Sequence, residues 1–259
     1  MPKYKNITIH RPKSEPLTLE QFGFFLAGLI DADGHINEVG NIIIAFHSRD
    51  IDVAYYIKTR VGYGRVSKIN KRNPVTYVCS HPIGKTLIYQ SIRHKLINPD
   101  KIEQFKTRLI PITVPITTNP RRNPARLSLA NHWLAGFIQG VGSFQVKIMS
   151  KKNQLKKEIR LVLEIDFKRL SLLKELKTQI GGYIGHRASQ STYYYSSVSF
   201  ERAAKLIKYL DHFQVMGPGL TRYWMWRKCY IIIQNKDHLN QRDINDIIKI
   251  KAQMSKLRL

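Results

Sequence analysis

Residues 24–36 read FFLAGLIDADGHI, and residues 132–144 read HWLAGFIQGVGSF. The second stretch repeats the first at an offset of 108 residues, Leu26 matching Leu134. Gly28 and Ala32 stand four apart in one copy, and Gly136 and Gly140 four apart in the other. Residues four apart share a helix face, and small side chains there let two backbones approach closely. Two helices packed on each other about a pseudo-twofold axis are therefore expected. The copies part company at two places: Asp31 and Asp33 in the first are Gln139 and Val141 in the second.

The segments downstream of the two copies repeat as well. After the first come HIN and NIIIAFH, a hairpin around Glu38–Asn41, then a helical DIDVAYYIKTRVG that stops at Gly62. YGRVSKI and VTYVCS have strand character, and IGKTLIYQSIRHKL is helical. After the second come SFQVKIM and IRLVLEIDF, the helix LSLLKELKTQIGG, the strands YIGHRAS and TYYYSSVS, and the helix ERAAKLIKYLDHF. Each half thus reads αββαββα. The proline-rich PITVPITTNPRRNPAR at 111–126 breaks both patterns and reads as the linker. The expected organisation is a basic N-terminal extension at 1–19, halves at 20–110 and 127–235, and a basic helical tail at 236–259.

The 259 residues carry 43 Lys and Arg against 18 Asp and Glu, a formal net charge of +25. A polyanion partner explains such an excess, because each phosphate neutralised by Lys or Arg releases condensed counterions. A composition that is 43% hydrophobic can build a core, which argues against disorder. Membrane is not expected as a partner: no run of 18 apolar residues occurs. Cys79 and Cys229 are too few for a disulfide framework and suit a reducing, intracellular compartment. GYGRV is too short and comes after a helix, the wrong context for a dinucleotide loop.

Leu26 to Gly34, LAGLIDADG, is letter for letter the motif that names the LAGLIDADG homing endonucleases, and LAGFIQGVG resembles the second motif of their single-chain members. The resemblance runs over roughly residues 20–235. It implies an α+β fold of two pseudo-symmetric αββαββα halves. Their four-stranded antiparallel sheets would form a saddle over nucleic acid, around a central pair of motif helices with Gly28, Ala32, Gly136 and Gly140 at their interface. Strand residues alternate faces, and the set expected to face the partner is Arg65, Lys68, Lys71, Arg72, Lys147, Arg187, Gln190, Tyr193 and Tyr195. If Tyr193 and Tyr195 face outward, alternation turns Tyr194 inward.

In that family each half contributes an acid from the eighth motif position, and the two acids hold divalent metal between the scissile phosphates. The resemblance assigns Asp33 this metal-binding and catalytic role, with Mg²⁺ as the cofactor if any activity remains and none otherwise. Val141 offers no lone pair. Lys101 resembles the basic residue placed before the closing helix, whereas residues 216–221 contain no lysine and Arg222 lies at a shifted position. The water-positioning place at the end of the hairpin falls on His47 or Ser48 in the first half and on Phe167 in the second. The expectation is a monomeric nucleic-acid-binding protein without efficient double-strand cleavage. It would bind structured RNA, as a group I intron maturase or a recruited organellar ribosomal component. The alternative is a Mg²⁺-dependent homing endonuclease or nickase on a long double-stranded DNA site, or a DNA-binding repressor. Composition resembles mitochondrial or other organellar proteins.

Overall fold

The computed structural model describes residues 7–68, 74–109, 125–150, 157–235 and 240–257. Lys71, Arg72, linker residues 111–124 and most of the loops KINKR and SKKNQLKK lie outside these. Contacts divide the chain into two units.

The first unit runs from Glu15 to Val141, with Val215–Gly217 added. Its elements are α1 (Leu19–Asp33), β1 (Gly34–Ile36), β2 (Ile42–His47), α2 (Ile51–Val61), β3 (Arg65–Lys68), β4 (Pro74–Cys79), α3 (Pro82–Ile92), α4 (Pro99–Gln104) and α5 (Trp133–Val141). A wider π turn, Phe105–Leu109, continues α4. The second unit holds residues up to Ser14, Gly142–Gln214 and everything from Pro218 onward. Its elements are β5 (Gly142–Ser150), β6 (Lys157–Phe167), α6 (Leu170–Ile180), β7 (Tyr183–Arg187), β8 (Thr192–Ser197), α7 (Phe200–His212), α8 (Gly217–Gln234) and α9 (Gln241–Lys256). The second motif helix, α5, therefore groups with α1, the helix it packs against. The predicted helix after VTYVCS ends sooner than its apolar pattern, because Arg93 leaves the helical region at ψ 135° and His94 then turns left-handed at φ 64°.

Each unit contains a four-stranded antiparallel sheet, ordered β1-β2-β4-β3 and β5-β6-β8-β7. The two sheets share one register. Gly34, the last motif residue, pairs with Ile44, and Ile44 with Tyr77; Gly142 pairs with Ile165, and Ile165 with Tyr195. Tyr77 and Tyr195 are matched residues, both fully buried. Each hydroxyl donates at 2.8 Å to a backbone carbonyl fourteen residues earlier, Tyr63 and Gly181 respectively. Each ring lies over a left-handed glycine, Gly64 or Gly182, where an added Cβ would come within 2.6 Å of the ring.

This register corrects two expectations. Ile42, Ile44 and Phe46 share the helix-side face of the first sheet with Val75, Tyr77 and Cys79, all buried. The same alternation puts Tyr195 in the core with Ile165. Tyr195 therefore faces no partner, and Tyr194 takes the open face instead. The repeat also sets Phe167 against Phe46, so the match of His47 is Lys168 rather than Phe167.

The chain's start belongs to the second unit. Ile7 is buried, and the amide of Gln234 clasps its backbone: Ile7 N–H donates to Oε1 at 2.7 Å, and Nε2 donates to the Ile7 carbonyl at 2.9 Å. Arg227, buried against α7, donates to the His10 carbonyl at 3.1 Å and forks onto Asp211 at 2.8–3.1 Å. Asp211 also accepts from the Tyr223 hydroxyl at 2.5 Å. Such a set of acceptors offsets the desolvation of a buried guanidinium.

Candidate active site at the ends of the motif helices

Thr18 and Gln21 close a capping box at the start of α1, and the helix runs buried to its last turn. Gly28 and Gly136 meet the opposite backbone symmetrically: a Cβ on Gly28 would lie 1.9 Å from the Trp133 carbonyl oxygen, and one on Gly136 1.9 Å from that of Phe25. Nothing larger than glycine fits either place. Further along, a Cβ on Gly140 would sit 2.6 Å from the Ala32 methyl and 3.3 Å from Asp33 Oδ2. The four interface residues read from sequence are thus all at the crossing, and Asp33 lies beside Gly140 near the end of α5.

Asp33 reaches solvent at the end of α1, yet protein packed around its other sides pushes its carboxyl up to about 6; Lys101 opposes the shift. Lys101 is half-buried on α4. Burial lowers its ammonium below the usual lysine range, and Asp31, Asp100 and Asp33 work against that in decreasing order. Asp31 is 0% exposed, and desolvation pushes it to about 7 against hydrogen bonds from Ile97 and Trp133.

The second half differs at each matched place. Asp31 Oδ2 accepts from the Ile97 N–H at 2.7 Å, and Gln139 Oε1 accepts from the Met216 N–H at 2.8 Å. Counting four residues on from each donor matches Lys101 with Leu220. Arg222 stands two residues further along and is buried.

A hard divalent cation needs oxygen donors, and Mg²⁺ is commonly held by one or two carboxylates with water and phosphate completing the shell. Asp33 suits this. It is an open carboxylate at the C-terminal end of α1, where the helix dipole favours a cation, and a cation would relieve the desolvation that raises its pKa. Val141 cannot contribute. Among the described residues no group of three or more His, Cys, Asp or Glu gathers into a self-contained metal site.

The remaining predicted contacts scatter. Arg65, opposite Val78, is exposed on the open face of the first sheet, whereas Lys68, opposite Val75, falls on the helix-side face at the exposed edge. Lys147 and Arg187 lie on the open face of the second sheet but are engaged there. Lys147 pairs with Glu164 at 3.4 Å, and Arg187 with Asp166 at 2.7 Å and Glu164 at 3.0 Å. Gln190 is exposed on a short turn, whereas Tyr193, expected to face the partner, lies two residues before Tyr195 on the helix-side face and packs its ring on His186 opposite it. Sequence reasoning missed Tyr194, whose ring lies beside Tyr183 and under the Arg187 guanidinium, 4.8 Å away. It also missed His35, exposed beside the motif, whose pKa burial, Lys101 and Arg108 lower. Its place directly after Gly34 was the available signal.

The profile of the LAGLIDADG endonuclease family matches residues 134–230. The "Uncharacterized cox1 intron-2 37.2 kDa protein" of Schizosaccharomyces pombe is 40% identical over 256 residues, 95% of this chain and 76% of that protein. The chain belongs to the LAGLIDADG endonuclease family. The "Intron-encoded DNA endonuclease ai2b" of Dictyostelium discoideum is 26% identical over 75% of this chain and 72% of its own length. Among solved structures, the meganuclease I-SmaMI bound to uncleavable DNA superposes with a TM-score of 0.72 at 20% identity, covering 91% of this chain and 99% of that one. This LAGLIDADG protein therefore shares the meganuclease fold. Among its described residues, no helix is long and apolar enough to cross a membrane.

Proposed function

We propose that the protein is a divalent-metal-dependent endonuclease acting on double-stranded DNA, in which one half-site carries the chemistry and the product is a nick. The observation that carries this reading is the register between halves: Asp33 with Lys101 on one side, Val141 with Leu220 on the other. Asp33 would hold the cation against a phosphate, and Lys101 would place positive charge beside the same group. A divalent ion bound there supplies an activated water and stabilises the leaving oxygen. Val141 and Leu220 offer neither lone pair nor charge to the other strand's phosphate. Each ~1.4 kcal/mol of lost transition-state stabilisation is about a factor of ten in rate.

The DNA reading, rather than the RNA-binding role that sequence alone puts first, is supported by the relatives. One is named a DNA endonuclease, and the superposing structure holds DNA. The name of the cox1 intron relative supports a mitochondrial setting. A second reading, binding of structured RNA, rests on Tyr183 and Tyr194 side by side on an open sheet face, where unpaired bases can stack. Both halves in one chain suit a monomer.

The test is to incubate the protein with a randomised duplex library and Mg²⁺ or EDTA, then sequence the ends. Mg²⁺-dependent nicks at one sequence, absent with Asp33→Asn, are expected. No cleavage, with a structured RNA displacing duplex from the protein, would transfer the function to RNA binding.

A further inference from the structure

Residues from three strands form one connected group on the open face of the second sheet. Gly185 of β7 pairs with Tyr194 of β8, and Tyr194 pairs with Asp166 of β6. A Cβ on Gly185 would come within 2.4 Å of the Tyr194 ring, so glycine is what lets that ring lie over β7. The Arg187 guanidinium sits 4.8 Å from the centre of the same ring. Its Nε donates to Asp166 at 2.7 Å and its Nη2 to Glu164 at 3.0 Å. Its Nη1 has no partner among the described residues.

The fold itself does not call for this group. The shared register matches Asp166 with Ala45, Glu164 with Ile43, Tyr194 with Thr76 and Gly185 with Ser67. Carboxylates on a face that meets phosphates add like-charge repulsion, so acids where the other half has Ile43 and Ala45 need a compensating use. Arginine presents its N–H donors in a rigid planar fork. Here the two acids hold the fork along its Nε side and the ring holds it from one face, which leaves the Nη1 end open. A guanidinium fixed in advance loses less freedom on binding. Two parallel N–H donors at the open end complement O6 and N7 of guanine in the major groove.

We propose that Arg187 is a specificity-determining residue that reads one guanine through the Nη1 end of its fork, and that Asp166, Glu164 and Tyr194 are positioning residues that hold the fork for it. The assignment rests on double-stranded DNA as the partner.

The test selects bound duplexes from a randomised library in EDTA and reads base preference at every position. It compares the full-length wild type with Arg187→Lys and Asp166→Ala. The wild-type site is expected to contain a guanine whose replacement weakens binding about 5- to 150-fold. Arg187→Lys keeps the charge and should lose that preference at this position alone. Asp166→Ala removes a negative charge, so it should raise affinity for duplexes in general and still weaken the preference for the same guanine. An ion pair that only balances charge would raise affinity and leave the preference untouched. Should Asp166→Ala not fold, Tyr194→Leu removes the ring at constant charge and carries the same arm. Unchanged preference in the Arg187→Lys or the positioning variant, or a change at a base other than guanine, overturns the proposal. A cytosine preference lost in Asp166→Ala alone would make Asp166 the reader and overturns it too. The selected duplex is then incubated with Mg²⁺. A duplex that is bound but not nicked overturns the nicking reading and leaves the guanine assignment standing, whereas a wild-type chain with no preferred duplex overturns both.

Discussion

Asp33 carries the proposed chemistry in a position that penalises its charge. Its pKa near 6 lies above the ordinary aspartate value, so the folded chain holds that proton more tightly than the unfolded chain. The resulting stability is full below the ordinary value and is lost as pH rises through about 6. Asp33→Asn should therefore raise the melting temperature at pH 8 and leave it nearly unchanged at pH 3.5, read by calorimetry on the metal-free protein. Nicking, which needs the carboxylate, should rise with pH and level off, at a lower pH than the metal-free window because bound Mg²⁺ favours the ionised form. Lys101→Met should reduce nicking at least tenfold with little change in affinity for DNA, because a single lysine is a small share of a net charge of +25. The sequence pointed to Asp33 through the motif and to Lys101 only through its place before the closing helix, as the resemblance implies. The enclosure of Asp31 was not legible, because its partners Ile97 and Trp133 come from distant parts of the chain.

The motif helices cross where the chain can spare no atoms. Gly140 and Ala32 share one methyl's worth of room, since a second methyl would come within 2.6 Å of the first. Gly140→Ala should destabilise the fold by about 1–3 kcal/mol through overpacking. Adding Ala32→Gly should recover part of that, which denaturant titration of the single and double variants will read as a coupling energy. The spacing of small residues made this crossing predictable. Strand alternation was legible too, but its phase was not. TYYYSS offers three consecutive tyrosines, and only pairing with Ile165 and the bond to Gly181 settle that Tyr195 is the buried one. The fork of Arg227 onto Asp211 was likewise invisible, because its partners come from separate helices and from the chain's start. Asp211→Ala should cost about 3–5 kcal/mol by leaving a buried guanidinium without its main acceptor.

At the scale of the whole molecule, the sequence carried most of the architecture because the chain is a repeat, and each half predicts the other. The functional asymmetry came less easily. Val141 was plain from the motif, but its companion Leu220 appeared only when Met216 was matched to Ile97 through their hydrogen bonds. Part of the surplus of cations is already engaged within the protein. On the second sheet Lys147 and Arg187 are paired with Glu164 and Asp166. The central claim is that one half-site works and the other lacks its chemistry. Strand-resolved mapping of breaks in the preferred duplex, with Mg²⁺, tests it most directly, comparing the wild-type chain with Val141→Asp combined with Leu220→Lys. The account predicts breaks in one strand only for the wild type, and breaks in both strands for the double variant. Equal cutting of both strands by the wild-type chain, abolished by Asp33→Asn, would contradict it.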